Sequence, residues 1–423
     1  MPISSLQYLE TLETGAILIS FLVADRYKSA MRNPFNPGSG VPPPYLAGRE
    51  NHLKTFERAL ESIDDGHIEN MIVHGLRGTG KTVLLTEFNK ICVKKGFLPI
   101  RRSQFSEKYC DPEEFEKALK YDLRVAMETF SKISWFKNKM KAGISYLKPK
   151  SVGVPDLFYY EPSYGRSKSV PFEDYLKKYL SDNWIIFEKA GFKGVIFLYD
   201  EFHTVIDDKR NRKYVLSDFL AAINEVQKDG KKYFAVLSGL PNLQLNVKKA
   251  RSYSERMYKS LEVGNLDRED AGLAIEKALD GSGYKFEKQL IQSLIEDTSG
   301  YPYFLQLYGK EIISNVNSST LSVRDYDKIK PLLIKQLDAD FFEPRFELAS
   351  EDEQTALCKM ANFEDSINIP FEFILRKARM SKSAVSRSLI RLERKGMVYN
   401  HKRGVYRFSL PMFKEFLGRK CER

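Results

Sequence analysis

Gly75-Leu76-Arg77-Gly78-Thr79-Gly80-Lys81-Thr82 follows the apolar run Met71-Ile72-Val73-His74 and precedes Val83-Leu84-Leu85-Thr86-Glu87-Phe88. A strand, a glycine-rich turn ending in Lys-Thr, and a helix, in that order, make the pattern of a phosphate-binding loop. The glycines let the backbone turn so that successive N–H groups face an anion. The helix starting near Lys81 adds its positive dipole end. Lys81 is the candidate for the β- and γ-phosphates, and the Thr82 hydroxyl the candidate for Mg²⁺. Phosphate contacts are expected from Gly75, Leu76, Arg77, Gly78, Thr79, Gly80, Lys81, Thr82 and Val83, with ATP as the ligand.

Further along the chain, Val195-Ile196-Phe197-Leu198-Tyr199 runs into Asp200-Glu201. An apolar strand ending in two carboxylates supplies what the loop lacks. Asp200 is expected to hold Mg²⁺, directly or through water. Glu201 is expected to orient and deprotonate an attacking water. The next buried run, Phe234-Ala235-Val236-Leu237, ends at Ser238. A polar tip there is placed to sense a γ-phosphate, with Ser238 the first candidate and Asn242 the second. Arg251 and Arg256 follow. Either an arginine here completes a neighbour's site in a homo-oligomer, for which Arg256 is favoured, or it forms a surface ion pair.

Helical spacing over Glu50–Ile63, Thr82–Lys95, residues 112–135, Pro171–Ala190 and Val215–Gln227 alternates with strands at Met71–His74, Leu98–Arg102, Val195–Tyr199 and Phe234–Leu237. That alternation predicts a parallel sheet in a three-layer α/β architecture. After about residue 262 the pattern reads as helices alone, clearest at Leu266–Leu279, Phe286–Thr298 and Tyr303–Asn315. Four segments are expected: a lead-in over 1–44, an α/β core over 45–261, a helical lid over 262–345, and a further domain over 346–423. Lys137–Ser169 reads as an insertion or a hairpin.

Together these residues resemble the AAA+ P-loop ATPases, in particular the branch joining archaeal replication initiators to STAND-type ATPases. The resemblance runs over roughly 33–423. It implies that Leu46, Gly48 and Arg49, in Pro44-Tyr45-Leu46-Ala47-Gly48-Arg49-Glu50, lie where the chain folds over adenine. It also implies that Pro302, in Gly300-Tyr301-Pro302, packs against the base. Many members carry a lid arginine that touches the γ-phosphate; none stands at Gly300–Tyr303, which points to slow turnover. No helicase motif accompanies the two phosphate-site elements.

The formal net charge is +11, and its location is informative. From Phe371 to Arg423 there are 15 Lys and Arg against 4 Asp and Glu, so this segment holds the whole excess. A basic tail on a neutral body is the footprint of a nucleic-acid-binding appendage, or else a solvated basic surface. Helical spacing over Glu351–Ala361, Pro370–Ala378 and Ser381–Lys395, then strands at Met397–Tyr399 and Val405–Phe408, predicts a winged helix-turn-helix. Val385, Leu389 and Leu392 form the apolar stripe of its third helix, and Ser381 its N-cap. Lys382, Ser383, Ser386, Arg387 and Arg391 lie mostly off that stripe and are the candidates for the major groove. Lys402 and Arg403, at the hairpin tip, suit phosphate or the minor groove.

The reading is an ATP-dependent switch that binds double-stranded DNA. Its rivals are a signalling or defence ATPase whose winged helix meets a protein partner, and a nucleotide-binding scaffold without meaningful hydrolysis. The four cysteines (Cys92, Cys110, Cys358, Cys421) are far apart and read as free thiols of a reducing cytoplasm. The uncharged stretch Thr14–Ala24 is too short to span a bilayer, so no membrane partner is expected. Residues 1–30 are either an extension upstream of a start at Met31 or a short docking helix.

Overall fold

The computed structural model describes residues 32–38, 40–131, 170–251, 256–364 and 368–421. The expectations for residues 1–30 and for Lys137–Ser169 therefore lie outside the described residues. The chain divides into two compact units. One joins Arg49–Gly264 to Phe342–Arg423; the other joins Asn265–Phe341 to the segment ending at Gly48.

In the first unit, α1 (Glu50–Asp64) leads to β1 (Asn70–His74), α2 (Lys81–Lys95), β2 (Leu98–Arg102) and α3 (Pro112–Ser131). Then follow α4 (Phe172–Lys189), β3 (Val195–Tyr199), α5 (Val215–Lys228), β4 (Tyr233–Gly239), α6 (Asn242–Ala250) and β5 (Tyr258–Glu262). The five strands form one parallel sheet in the order β2-β3-β4-β1-β5. Strands buried on both faces need apolar residues on both, which is why β1, β3 and β4 read as near-continuous apolar runs. Alternation divides them. Ile196 and Leu198 of β3 pack with Phe56, Leu60, Leu84 and Phe88 of α1 and α2. Val195, Phe197 and Tyr199 face the opposite layer, with Leu123, Leu176 and Phe219 of α3, α4 and α5. Phe56 stacks on Phe88 with ring centroids 4.0 Å apart, and such a pair adds about 0.5–1.5 kcal/mol beyond its burial.

The strand order positions the site. From β1 the chain leaves for the far edge, returns through β3 and β4 to β1's side, and places β5 on β1's other flank. The carboxyl ends of β1, β3 and β4 thus lie together at the switch point, where open α/β sheets bind ligands.

In the second unit, α7 (Arg268–Leu279), α8 (Lys288–Thr298), α9 (Pro302–Asn315) and α10 (Val323–Leu337) pack together. The expectation of helices alone is corrected here: β6 (Lys285–Phe286) and β7 (Thr320–Leu321) pair in parallel. Two-residue strands are too short to leave a periodic signal. The lead-in has no regular structure over 32–38, as its Pro and Gly content predicts, yet it is anchored. Phe35 stacks on Phe286 and lies against Gly309, where a Cβ would come within 2.7 Å of its ring.

Residues 342–423 contribute α11 (Glu343–Glu347), α12 (Glu351–Ala361), β8 (Ile369–Pro370), α13 (Phe371–Ala378), α14 (Lys382–Arg394), β9 (Val398–Lys402), β10 (Val405–Phe408) and α15 (Phe413–Cys421). The sheet is antiparallel with β10 in the middle. Val385, Leu389 and Leu392 of α14 are buried, and Ser381 accepts a hydrogen bond from the Ala384 N–H at its N-terminus. The reading of four free thiols is corrected. Cys358 of α12 and Cys421 of α15 are disulfide-bonded, their Cα atoms 5.8 Å apart. Two helices packed side by side bring together positions that sequence spacing keeps 63 residues apart. The bridge removes free thiols as an argument for a reducing compartment. Among the described residues no helix is long and apolar enough to cross a membrane.

Candidate nucleotide site

The phosphate loop begins where β1 ends. Its glycines are there for two different reasons. Gly78 and Gly80 have φ of 77° and 95°, in the left-handed region that a side chain disfavours. Gly75 is needed for space, since a Cβ there would collide with the Val263 carbonyl. Gly75→Ala is therefore expected to destabilise the fold by about 1–3 kcal/mol through overpacking, measured as a shift in the urea midpoint.

Lys81, at the first turn of α2, is buried, and its ammonium donates to the carbonyls of Gly75 (3.0 Å) and Leu76 (2.7 Å). Burial holds its pKa below the ordinary lysine value, against the pull of Glu201 and Asp200. Arg49 is buried beneath the loop and donates to the carbonyls of Thr79 (3.1 Å) and Gly264 (2.6 Å). It braces the backbone of the loop.

The decisive geometry is around Asp200, at the end of β3. Its Oδ2 accepts from the Thr82 hydroxyl at 2.5 Å, and its Oδ1 accepts from the Ser238 hydroxyl at 2.8 Å. Oδ1 also accepts the Glu201 N–H at 2.9 Å. The ends of β3 and β4 and the start of α2 thus converge on one buried carboxylate. Ser238 reaches it directly, while the Oδ1 of Asn242 is buried without a hydrogen-bond partner. Glu201 has φ 53°, an uncommon conformation for glutamate. Its Oε2 lies 3.8 Å from both Arg77 Nη2 and His203 Nε2.

Several residues here were not singled out from the sequence. His203 and Gly239 touch only through the tertiary fold. Arg102, at the end of β2, grips Asp122 with two bonds of 2.7 Å, and its carbonyl accepts the Asp200 N–H. Burial pushes Asp122 up to about 6, against that arginine. An arginine closing an apolar strand was the available signal.

A family model described as AAA ATPase domain matches residues 45–130. This part of the chain is similar to an AAA ATPase domain. The matched residues carry the loop, α2 and Arg49; Asp200, Glu201 and Ser238 of the same sheet lie beyond them. A second model, Domain of unknown function (DUF8462), matches residues 339–417. No curated protein matches the sequence. Similar solved structures include the Walker-type ATPase PABY2304 of Pyrococcus abyssi, at 17% identity and TM-score 0.48 over 88% of this chain and 96% of that one. The Aeropyrum pernix ORC2 protein in its ADP form is 12% identical, with TM-score 0.49 over 92% and 98% of the two chains. The Aeropyrum pernix ORC1 protein in complex with DNA is 14% identical, with TM-score 0.43 over 90% and 94%.

The remaining expected residues lie elsewhere. Arg251 pairs with Glu173 at 2.6 Å, the bland alternative for that position, whereas Arg256 is exposed. Leu46, Gly48 and Pro302 belong to the second unit, where Pro302 opens α9 and Gly48 passes close to Asp270. On α14, Lys382, Ser383 and Arg387 are exposed and Ser386 is half-buried. Arg391 is exposed too, with Glu353 at 4.0 Å. Lys402 and Arg403 stand exposed at the turn between β9 and β10. The end of α14 meets the phosphate loop: a Cβ on Gly396 would lie 2.8 Å from Arg77 Nε.

Proposed function

We propose that the protein is an ATP-binding, slowly hydrolysing ATPase that acts as a nucleotide-dependent switch for binding double-stranded DNA. The observation that carries the catalytic half is the set of hydrogen bonds on Asp200 from Thr82, Ser238 and the Glu201 N–H. The loop N–H groups and Lys81 bind the β- and γ-phosphates. Thr82 and Asp200, hydrogen-bonded to each other, offer only hard oxygen donors, a donor set that fits Mg²⁺. Bound there, Mg²⁺ supplies neutralisation of the phosphate charge. Glu201 accepts a proton from water as the water oxygen bonds to the γ-phosphorus. The bond from that phosphorus to the β–γ bridging oxygen breaks, and its electrons stay on ADP. Ser238 holds Asp200 in register and senses whether the γ-phosphate is present. Arg256 acts in trans across a homo-oligomer.

Residues 346–423 are read as a winged helix that presents Lys382, Ser383, Ser386, Arg387 and Arg391 to the major groove, with Lys402 and Arg403 on phosphate. One observation favours the rival reading, a signalling ATPase with a protein partner. Gly396 packs on Arg77, so this domain is also a packing module for the ATPase core. Binding of the full chain to labelled duplex DNA, with ATP, ADP or neither, over a salt series separates the two. DNA binding is expected to be tightest with ATP and to weaken steeply with salt. Absence of binding at low salt in every nucleotide state would assign the output to a protein partner and leave the ATP site standing.

A further inference from the structure

Glu201 is the proposed base, and its side chain is about a quarter exposed. A flexible carboxylate must be aimed. One of its neighbours, Arg77, is on the phosphate loop with a side chain 44% exposed. The other, His203, is 5% exposed and packed in place. Its backbone carbonyl accepts from Asn246 Nδ2 at 3.3 Å. Its imidazole lies against Gly239, where a Cβ would come within 2.9 Å of His203 Cβ and 3.0 Å of Nδ1. The Gly239 carbonyl in turn accepts the Gly75 N–H at 3.2 Å. The ring is thus wedged against the backbone that joins β4 to the phosphate loop.

His203 Nδ1 is buried with no hydrogen-bond partner. A neutral imidazole has one N–H and one bare nitrogen. With the proton on Nε2, the N–H points at the Glu201 carboxylate and the bare nitrogen faces Gly239. The opposite tautomer buries an orphan N–H and sets a lone pair against a carboxylate, which is worse on both counts. Burial, with Arg77 and Lys81 nearby, pushes this histidine down to about 3, so it stays a neutral donor. At 3.8 Å the pair is longer than a hydrogen bond, and a shift of under about 1 Å in the Glu201 side chain closes it.

We propose that His203 is the positioning residue for Glu201, its Nε2–H aiming the carboxylate at the attacking water from a ring locked against Gly239. The inference rests on the reading of Glu201 as the base. Its test is steady-state ATP hydrolysis and fluorescent-nucleotide affinity on the full chain, for the wild type and for Glu201→Gln, His203→Leu, His203→Gln and Gly239→Ala. His203→Leu is expected to lower kcat by about 10–100-fold, with KM and nucleotide Kd within about threefold, since misaiming a catalytic group by 1 Å costs on that order. His203→Gln, whose amide N–H can replace Nε2–H, is expected to restore most of kcat. Gly239→Ala keeps the histidine but displaces its ring, and is expected to repeat the leucine result. Slow Glu201→Gln with His203→Leu at wild-type kcat would overturn the role of His203 and leave the base standing. Wild-type turnover in Glu201→Gln would overturn both. Equal losses in the Leu and Gln variants, with weakened nucleotide binding, would make His203 a structural wedge and overturn the proposal. Should His203→Leu not fold, Gly239→Ala decides: normal kcat there overturns it.

Discussion

Replacing Glu201 with Gln is expected to lower kcat for ATP hydrolysis by about 10²–10⁴-fold, the range that a positioned general base contributes. Nucleotide affinity should hold. Gln has the size and shape of Glu, so the backbone at φ 53° is asked to do nothing new. The residue's N–H goes on donating to Asp200 Oδ1, which keeps the strand end in place. The amide loses the charge facing Arg77, but at 3.8 Å and with the arginine side chain 44% exposed that pair is worth little. What it loses outright is the ability to take a proton. Phosphate release at saturating ATP measures the first effect, and titration with a fluorescent ATP analogue measures the second. Unchanged turnover would make the protein a nucleotide-binding scaffold, or move the base elsewhere. Asp200→Asn is a poorer test. Asp200 accepts hydrogen bonds from Thr82, Ser238 and Glu201, so its change disturbs three partners at once and confounds binding with chemistry.

The parts of this site that were legible in the sequence are those whose chemistry is local. A phosphate loop needs its glycines, Lys81 and Thr82 within one turn and one helix start, so eight residues contain the argument. β3 announces itself because both faces are buried and every residue must be apolar. β5 did not: it is an edge strand, Tyr258-Lys259-Ser260-Leu261-Glu262, with most of its residues exposed, and its polar side chains give no apolar run. The wedge of His203 against Gly239 joins two strand ends and exists only once β3 and β4 pair. Arg49 shows a subtler limit. Its position before the loop was legible, but not that its guanidinium would brace the Thr79 and Gly264 carbonyls. The disulfide between Cys358 and Cys421 was hidden for the same reason, since α12 and α15 are neighbours in space alone.

Reversing both Arg387 and Arg391 to Glu is expected to weaken duplex DNA binding by about 10²-fold or more, since each lost contact is worth about 1–3 kcal/mol and each new carboxylate repels phosphate. The slope of log affinity against log salt should fall by about one for each phosphate contact removed. The two positions are not equivalent. Arg387 is exposed on α14, and its reversal puts a carboxylate on the face that would meet DNA. Arg391 has the buried Glu353 at 4.0 Å, which Lys395 also holds at 2.5 Å. Glu at position 391 would therefore repel Glu353 and loosen the junction of α12 and α14 as well as remove a cation. Arg387→Glu alone is the cleaner variant, and thermal unfolding of the double variant separates lost contact from lost packing. ATP hydrolysis without DNA should be unaffected by Arg387→Glu, because that residue lies on the exposed side of α14, away from the Gly396 turn that meets Arg77. Full DNA affinity in the double variant would remove α14 from the interface and leave Lys402 and Arg403 of the hairpin as the cations to reverse next.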